Sequence, residues 1–160
     1  MFVLFVFAGA FFANTQLSAQ GKAIRSTKQT LIGVWQQVIV NPATGEVETY
    51  IPFLKIFNAD DTYIHMQMKD KKPAFLNASG KWKVTDKNVF LEYVELMYGQ
   101  GVRNHTEEQT FTIEKQSNGL FMHSKFHTRG TDMADIYETW KKCDFSEWGK
   151  LQTQQKSKSR

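Results

Sequence analysis

The sequence predicts an all-β fold: an eight-stranded antiparallel up-and-down barrel in which each strand follows its neighbour in a meander. Three observations predict it. Eight segments between residues 34 and 142 favour strands, and their connections are short enough for hairpins. No segment between Trp35 and Lys142 has a convincing helical period. Gly33-Val34-Trp35 stands at the entry of the first strand, where a wide side chain could close one end of a barrel.

Turn residues separate the predicted strands. Asn58-Ala59-Asp60-Asp61 favours a four-residue hairpin loop, and Asn118-Gly119 is a typical hairpin turn. Gly80 indicates a β-bulge inside the fourth strand. The longest predicted loop runs from Tyr98 to His105. The strands are predicted at residues 34–40, 47–57, 62–68, 74–84, 89–97, 106–115, 120–128 and 133–142.

Eight consecutive hairpin strands are enough to close, and closure removes the exposed edges of a flat meander. Trp35 is predicted to form the barrel floor, and Gly33 to allow a sharp bend at the strand entry. The interior of an eight-stranded barrel is either filled by side chains or wide enough for one small ligand. That choice is the functional question for this chain.

Four regions are expected along the 160 residues. Residues 1–19 are predicted to be a signal peptide, because the run Phe2 to Phe12 is apolar and Leu17-Ser18-Ala19 offers a cleavage point. No Lys or Arg precedes the run, so an uncleaved membrane anchor is the alternative. Residues 20–30 are expected to form a polar linker, 31–143 the barrel and 144–160 a basic polar tail.

Charge and cysteine content narrow the class of protein. The formal net charge is +4, and part of the excess lies in the tail from Lys150 to Arg160. Nucleic-acid binding needs a concentrated basic face, which the predicted barrel lacks, so no nucleic-acid partner is expected. A single cysteine, Cys143, allows no internal disulfide. A bacterial exported protein, periplasmic or secreted, fits these features, and no membrane span is expected after cleavage.

Gly33-Val34-Trp35, the eight-strand meander and the closing Tyr137-Glu138-Thr139-Trp140-Lys141-Lys142 resemble lipocalin-like (calycin-type) proteins exported by Gram-negative gut bacteria, a largely uncharacterised group. The resemblance covers about residues 31–143. It implies that a basic residue near the end of the last strand packs across Trp35. Lys141 or Lys142 stands at that place, and the structural residues expected here are Gly33, Trp35 and Lys141.

Strand alternation separates two faces on each strand, and the apolar faces are expected to point inward. The predicted ligand-binding residues are then Met66, Met68, Met122, Ser124, Phe126 and Glu138. Methionine is adaptable and suits an apolar guest, although filling the core is what most buried methionines do. Glu138 would hold the polar end of a ligand or pair with a lysine, or it would lie in solvent if the strand were rotated.

Other chemistries find little support in the sequence. His123 and His127 are about 13 Å apart on one strand face, too far to share an ion, so no metal site is predicted. A haem-binding barrel with one axial histidine is a distant alternative, and no cofactor is expected. Hydrolase and phosphate-loop motifs are absent from the sequence, so the chain is not expected to be an enzyme.

Two functions therefore stay open. The first is an exported binding protein for a small apolar or amphipathic molecule. The second is a filled barrel that acts as a protein–protein interaction module with an envelope protein, chiefly through the loop from Tyr98 to His105. An internal cavity of several hundred Å³ would favour the first.

Overall fold

The computed structural model describes residues 8–69, 72–99, 101–126 and 135–145. A helix, α1 (Ala8–Leu31), precedes a closed antiparallel barrel in which the strands follow one another in chain order. The all-β, eight-stranded up-and-down barrel predicted from the sequence is confirmed. Its strands are β1 (Gly33–Val40), β2 (Val47–Phe57), β3 (Thr62–Lys69), β4 (Lys72–Asp86), β5 (Val89–Met97), β6 (Gly101–Gln116), β7 (Gly119–Phe126) and β8 (Ile136–Lys142).

The barrel closes where β1 meets β8. Trp35 lies opposite Lys142, and the pairing continues as far as Val38 opposite Thr139. The Cys143 backbone N–H donates to the Val34 carbonyl at 2.8 Å, just beyond the paired residues. Each of the described strands is paired on both sides, so none of them is an edge strand.

The segment 20–30, expected to be a linker, is the second half of α1, so the linker assignment is wrong. Ile24 and Leu31 are seven positions apart, which places them on one helix face, and both pack against the barrel core. Lys28 forms an ion pair with Asp61 in the β2–β3 turn. The helix therefore caps one end of the barrel. None of the helical residues described here forms a stretch long and apolar enough to cross a membrane.

Beneath α1, four buried aromatic side chains fill the barrel end, and we call them the aromatic floor: Trp35, Phe57, Trp82 and Phe90. The ring centroid of Phe57 is 4.8 Å from that of Trp82 and 5.4 Å from that of Phe90. The two indole N–H groups are satisfied, because Trp35 Nε1 donates to Leu31 O at 2.7 Å and Trp82 Nε1 to Asn58 O at 3.1 Å. This end of the barrel is closed by packing.

Two glycines meet specific backbone requirements. Gly33 has φ of 130°, in a region that side-chain-bearing residues rarely adopt. At Gly80 a Cβ atom would overlap the Tyr93 carbonyl oxygen of β5. The pairing of β4 with β5 shifts between Ser79 and Gly80, so the predicted bulge is confirmed.

The predicted long loop from Tyr98 to His105 is wrong, because β6 already begins at Gly101. Gly99 and Gly101 have φ of 72° and 71°, which lets the chain reverse within a tight turn. His105 consequently lies within the sheet, opposite Val94. The predicted turn at residues 129–132 and the adjoining ends of the seventh and eighth predicted strands lie outside the described residues, as does the tail from residue 146 onward.

Candidate functional site

Above the aromatic floor, polar side chains occupy the middle of the barrel interior. They come from strands β2, β3, β5, β6, β7 and β8, and alternation turns each of them to the same side as the core residues of its strand. We call this set the polar layer: Lys55, Tyr63, His65, Glu92, Glu107, Gln109, Ser124 and Glu138.

The centre of the polar layer is a buried ion pair. Lys55 Nζ lies 3.0 Å from Glu92 Oε1, and both side chains are at most 5% exposed. Gln109 Nε2 donates to the other carboxylate oxygen of Glu92 at 2.8 Å. Burial lowers the pKa of Lys55, but attraction from Glu92 and Glu138 outweighs it and raises the pKa overall. Burial also raises the pKa of Glu92, which Lys55 offsets only in part.

Glu138 belongs to the same network through Trp140. Trp140 Nε1 donates to Glu138 Oε2 at 3.0 Å, and Lys55 Nζ lies 5.1 Å from the centroid of the Trp140 ring. The alternative hypothesis, in which strand eight is rotated and Glu138 lies in solvent, is therefore wrong. The sequence-based expectation that Glu138 points inward agrees with this contact, because Trp140 is fully buried in the core.

His65 is held between aromatic rings. Its ring centroid is 5.3 Å from that of Phe53 and 5.8 Å from that of Trp140. Nδ1 faces the Asn77 side-chain amide at 3.2 Å. Burial, with a smaller contribution from the charge of Lys55, lowers the pKa of His65 to about 3. His65 is therefore a neutral imidazole at physiological pH.

Several polar atoms in this layer are buried without a hydrogen-bond partner among the described residues: Tyr63 Oη, His65 Nε2, Gln109 Oε1 and Ser124 Oγ. Such an atom costs about 1–3 kcal/mol when it stays unsatisfied. Buried polar groups in folded proteins are almost always bonded to protein, water or ligand. The polar layer can therefore accept further hydrogen-bonded groups.

Four of the residues predicted to bind a ligand are on the interior face. Met122 and Ser124 are buried, and Glu138 lies directly opposite Ser124. Phe126 is partly buried and pairs with Gln109 and Ile136. Met122, however, is fully buried within the core cluster, so it fills the interior.

Met66 and Met68, predicted to face the lumen, are on the opposite face of β3 from His65. Met66 pairs with Leu54 and Leu76 on the outer side of the sheet. The face assignment for β3 is therefore wrong. The β2–β3 hairpin explains this, since it sets the buried Phe57 opposite Tyr63 and so turns Tyr63 and His65 inward.

The structural role assigned to Lys141 belongs to Lys142. Lys142 lies opposite Trp35, and its Nζ is 5.3 Å from the indole centroid and donates to Thr30 O at 2.6 Å. Burial lowers its pKa. Lys141 is on the outer face, where its Nζ lies 5.7 Å from the Phe121 ring. Direct cross-strand neighbours share a face, and this decides between the two lysines.

Lys55, His65 and Glu92 were not predicted as site residues from the sequence. Both faces of β2 carry apolar residues, which hides the inward position of Lys55 between Phe53 and Phe57. Glu92 stands two positions from the buried Phe90 and two from Val94, so alternation on β5 was the available signal. His65 would have followed from the hairpin register that also places Tyr63.

A separate depression of about 600 Å³ lies on the outer surface near the end of β8. Tyr50, Lys141 and Phe145 contribute to its walls, and no residue of the polar layer does. Within the described ranges, no group of three or more histidine, cysteine or acidic residues is arranged to hold a metal ion.

A family model with the description "Domain of unknown function (DUF4488)" matches residues 30–148, which include every strand of the barrel. No curated protein matches the chain.

Proposed function

The chain belongs to the DUF4488 family, and we propose that it binds a small amphipathic molecule inside the barrel. The observation that carries this proposal is the set of buried, unpartnered polar atoms in the polar layer, Ser124 Oγ and Gln109 Oε1 among them. A bound polar group would satisfy them, and this favours a guest with a polar end over a purely apolar one.

The packing of the interior side chains limits how far a guest molecule could enter the barrel. The aromatic floor and Met122 already fill the end beneath α1. Phe53, Phe126 and Ile136 lie toward the other end, and these three are only partly buried. The apolar part of the guest would contact this upper set, and its polar end would reach down to the polar layer. The guest would therefore enter from the end away from α1.

Export forms part of the proposal. The uncharged apolar run from Phe2 to Phe12 motivates it, and Ala19 and Gln20 on either side of the cleavage point are exposed. Cleavage after Ala19 would leave the contacts of Ile24 and Leu31 with the core in place. N-terminal sequencing of protein from its own cells should begin at Gln20. A chain that retains Met1 in the membrane fraction would refute cleavage and favour an anchor.

Native mass spectrometry of protein purified from its own cells tests the binding function. We expect a mass excess over the polypeptide that disappears on mild activation. The mass of the released molecule would identify it, and a haem group would be recognised in the same way. Protein unfolded and refolded without cell extract is the matched control and should carry no excess. A bare polypeptide mass, together with no uptake of added amphipathic probes, would refute a carrier.

The second candidate is a protein–protein interaction module. Tyr98 is 67% exposed at the β5–β6 turn, where its ring packs on Phe75 with centroids 4.8 Å apart. Exposed aromatic residues are common in binding surfaces. A pull-down from envelope extract with the wild type and with Tyr98→Ser tests it. Loss of a partner only in the variant would support this candidate, and identical profiles would count against it.

A further inference from the structure

Three hydrogen-bonding side chains of the polar layer come together on neighbouring strands. Ser124 on β7 lies directly opposite Glu138 on β8. Gln109 on β6 lies opposite Phe126, one diagonal step from Ser124. Directly opposite residues on one face have Cβ atoms about 4.5–5.5 Å apart, and diagonal neighbours about 7–8 Å. The three side chains therefore form one patch on the interior wall.

The patch offers acceptors. Gln109 Nε2 already donates to Glu92, so the unpartnered atom of Gln109 is its carbonyl oxygen, Oε1. Ser124 Oγ is also unpartnered, and Ser124 and Gln109 are only 3% and 1% exposed. Glu138 adds a carboxylate whose hydrogen bond comes from the neutral indole of Trp140. A group that satisfies this patch must be rich in N–H or O–H donors.

The charges inside the barrel indicate that this donor group is positively charged. Three carboxylates, those of Glu92, Glu107 and Glu138, share the interior with the ammonium group of Lys55. Lys55 forms its ion pair with Glu92, and Glu107 shares a hydrogen bond with His105 Nε2 at 3.0 Å. Glu138 also attracts Lys55, but it forms no ion pair among the described residues, because the ammonium group of Lys55 lies on Glu92. A buried carboxylate is stabilised by a cationic partner.

We propose that the polar end of the guest is a primary ammonium group, bound by Glu138, Ser124 and Gln109. An ammonium carries three N–H donors, which matches the three acceptors. The apolar part of the amine would then rest on Phe126 and Ile136, which pair with each other beside the patch. This inference rests on the proposed binding function and specifies the chemical class of its ligand.

A matched series of probes tests the inference: octylamine, octanol and octanoate share one alkyl chain and differ in the charge of the polar end. Calorimetric titration of the full mature chain at neutral pH should rank them in that order. We expect octylamine to bind at least about tenfold more tightly than octanoate, or about 1.4 kcal/mol. Failure of all three probes to bind would count against the proposed function itself.

Glu138→Gln removes the charge while keeping an oxygen for Trp140 Nε1. It should weaken octylamine at least about tenfold and leave octanol unchanged. Ser124→Ala should weaken octylamine binding by a smaller factor, and this variant provides the test if Glu138→Gln fails to fold. The control Glu114→Gln alters an outward carboxylate, 55% exposed, and should change nothing. Octanoate binding as tightly as octylamine, or unchanged octylamine binding to both site variants, would overturn the ammonium assignment while leaving a binding barrel.

Discussion

The aromatic floor and the polar layer are neighbouring levels of one barrel interior, and they differ in whether their buried polar groups have hydrogen-bond partners. In the floor, Trp35 and Trp82 bury their rings and direct each N–H to a backbone carbonyl. In the polar layer, Lys55 and Glu92 bury charge, and other atoms of that layer have no partner among the described residues. A floor of this kind stabilises the fold. A polar layer of this kind costs stability, and the proposed binding function gives a reason for its presence.

Truncating the floor should have the largest effect. Trp35→Ala removes a fully buried indole and should lower the free energy of unfolding by about 3–5 kcal/mol. Denaturant titration measures it. Tyr137→Ala, at a side chain 73% exposed, is the control and should change stability by less than about 0.5 kcal/mol. An unchanged denaturant midpoint for Trp35→Ala would contradict the stabilising role of the aromatic floor, and the contrast with the polar layer would be lost.

Breaking the buried ion pair tests the other side of the comparison. Lys55→Met leaves Glu92 without its cation and should cost about 3–5 kcal/mol. Adding Glu92→Gln removes the second charge and keeps an acceptor for Gln109, so the double variant should recover most of that loss. If the double variant were as unstable as the single one, the pair would be a net stabilising element, and the interpretation of the polar layer as a binding feature would weaken.

Acid should affect the polar layer specifically through His65. Burial and Lys55 lower its pKa from 6.5 to about 3. Between these values the unfolded chain binds a proton that the folded chain does not, so stability falls as the pH drops through this window. We expect the wild type to lose about 2 kcal/mol more than His65→Gln between neutral pH and about pH 4.5.

Denaturant titrations at the two pH values, with His123→Gln as the outer-face control, measure the effect. His123 lies on the outer side of β7, with Nε2 3.3 Å from Glu114. The control should lose as much stability as the wild type. Equal losses for all three proteins would mean that His65 is not held neutral in the folded state.

The sequence allowed the fold to be predicted because its strand boundaries are local. Asn58 to Asp61 and Asn118-Gly119 specify turns by their own residue types, and the sheet order follows from consecutive hairpins. The face of each strand is a weaker signal where both faces are apolar. On β3, Ile64, Met66 and Met68 form the more apolar set, yet the pairing of Tyr63 with Phe57 turns the other set inward.

The polar layer was less accessible to sequence reasoning, since burial of Lys55 and Glu92 depends on their meeting across the barrel. They are on β2 and β5, which are not neighbours in the sheet. Alternation correctly turned Ser124 and Glu138 inward, because Met122 and Trp140 on the same strand faces are core residues. No local sequence pattern indicates that Gln109, two strands away from Glu138, belongs to the same patch as Ser124 and Glu138.

The β1–β8 seam sets the order of events during synthesis. Thr30 and Lys142, which meet beside it, are 112 positions apart. β1 leaves the ribosome long before its second partner exists, and until then one side of it is an unpaired edge of the kind that recruits other chains. Closing so long a loop is entropically costly, and such non-local pairing slows folding. The barrel should therefore close in one late step, and a nascent chain halted before β8 should be captured by chaperones or aggregate.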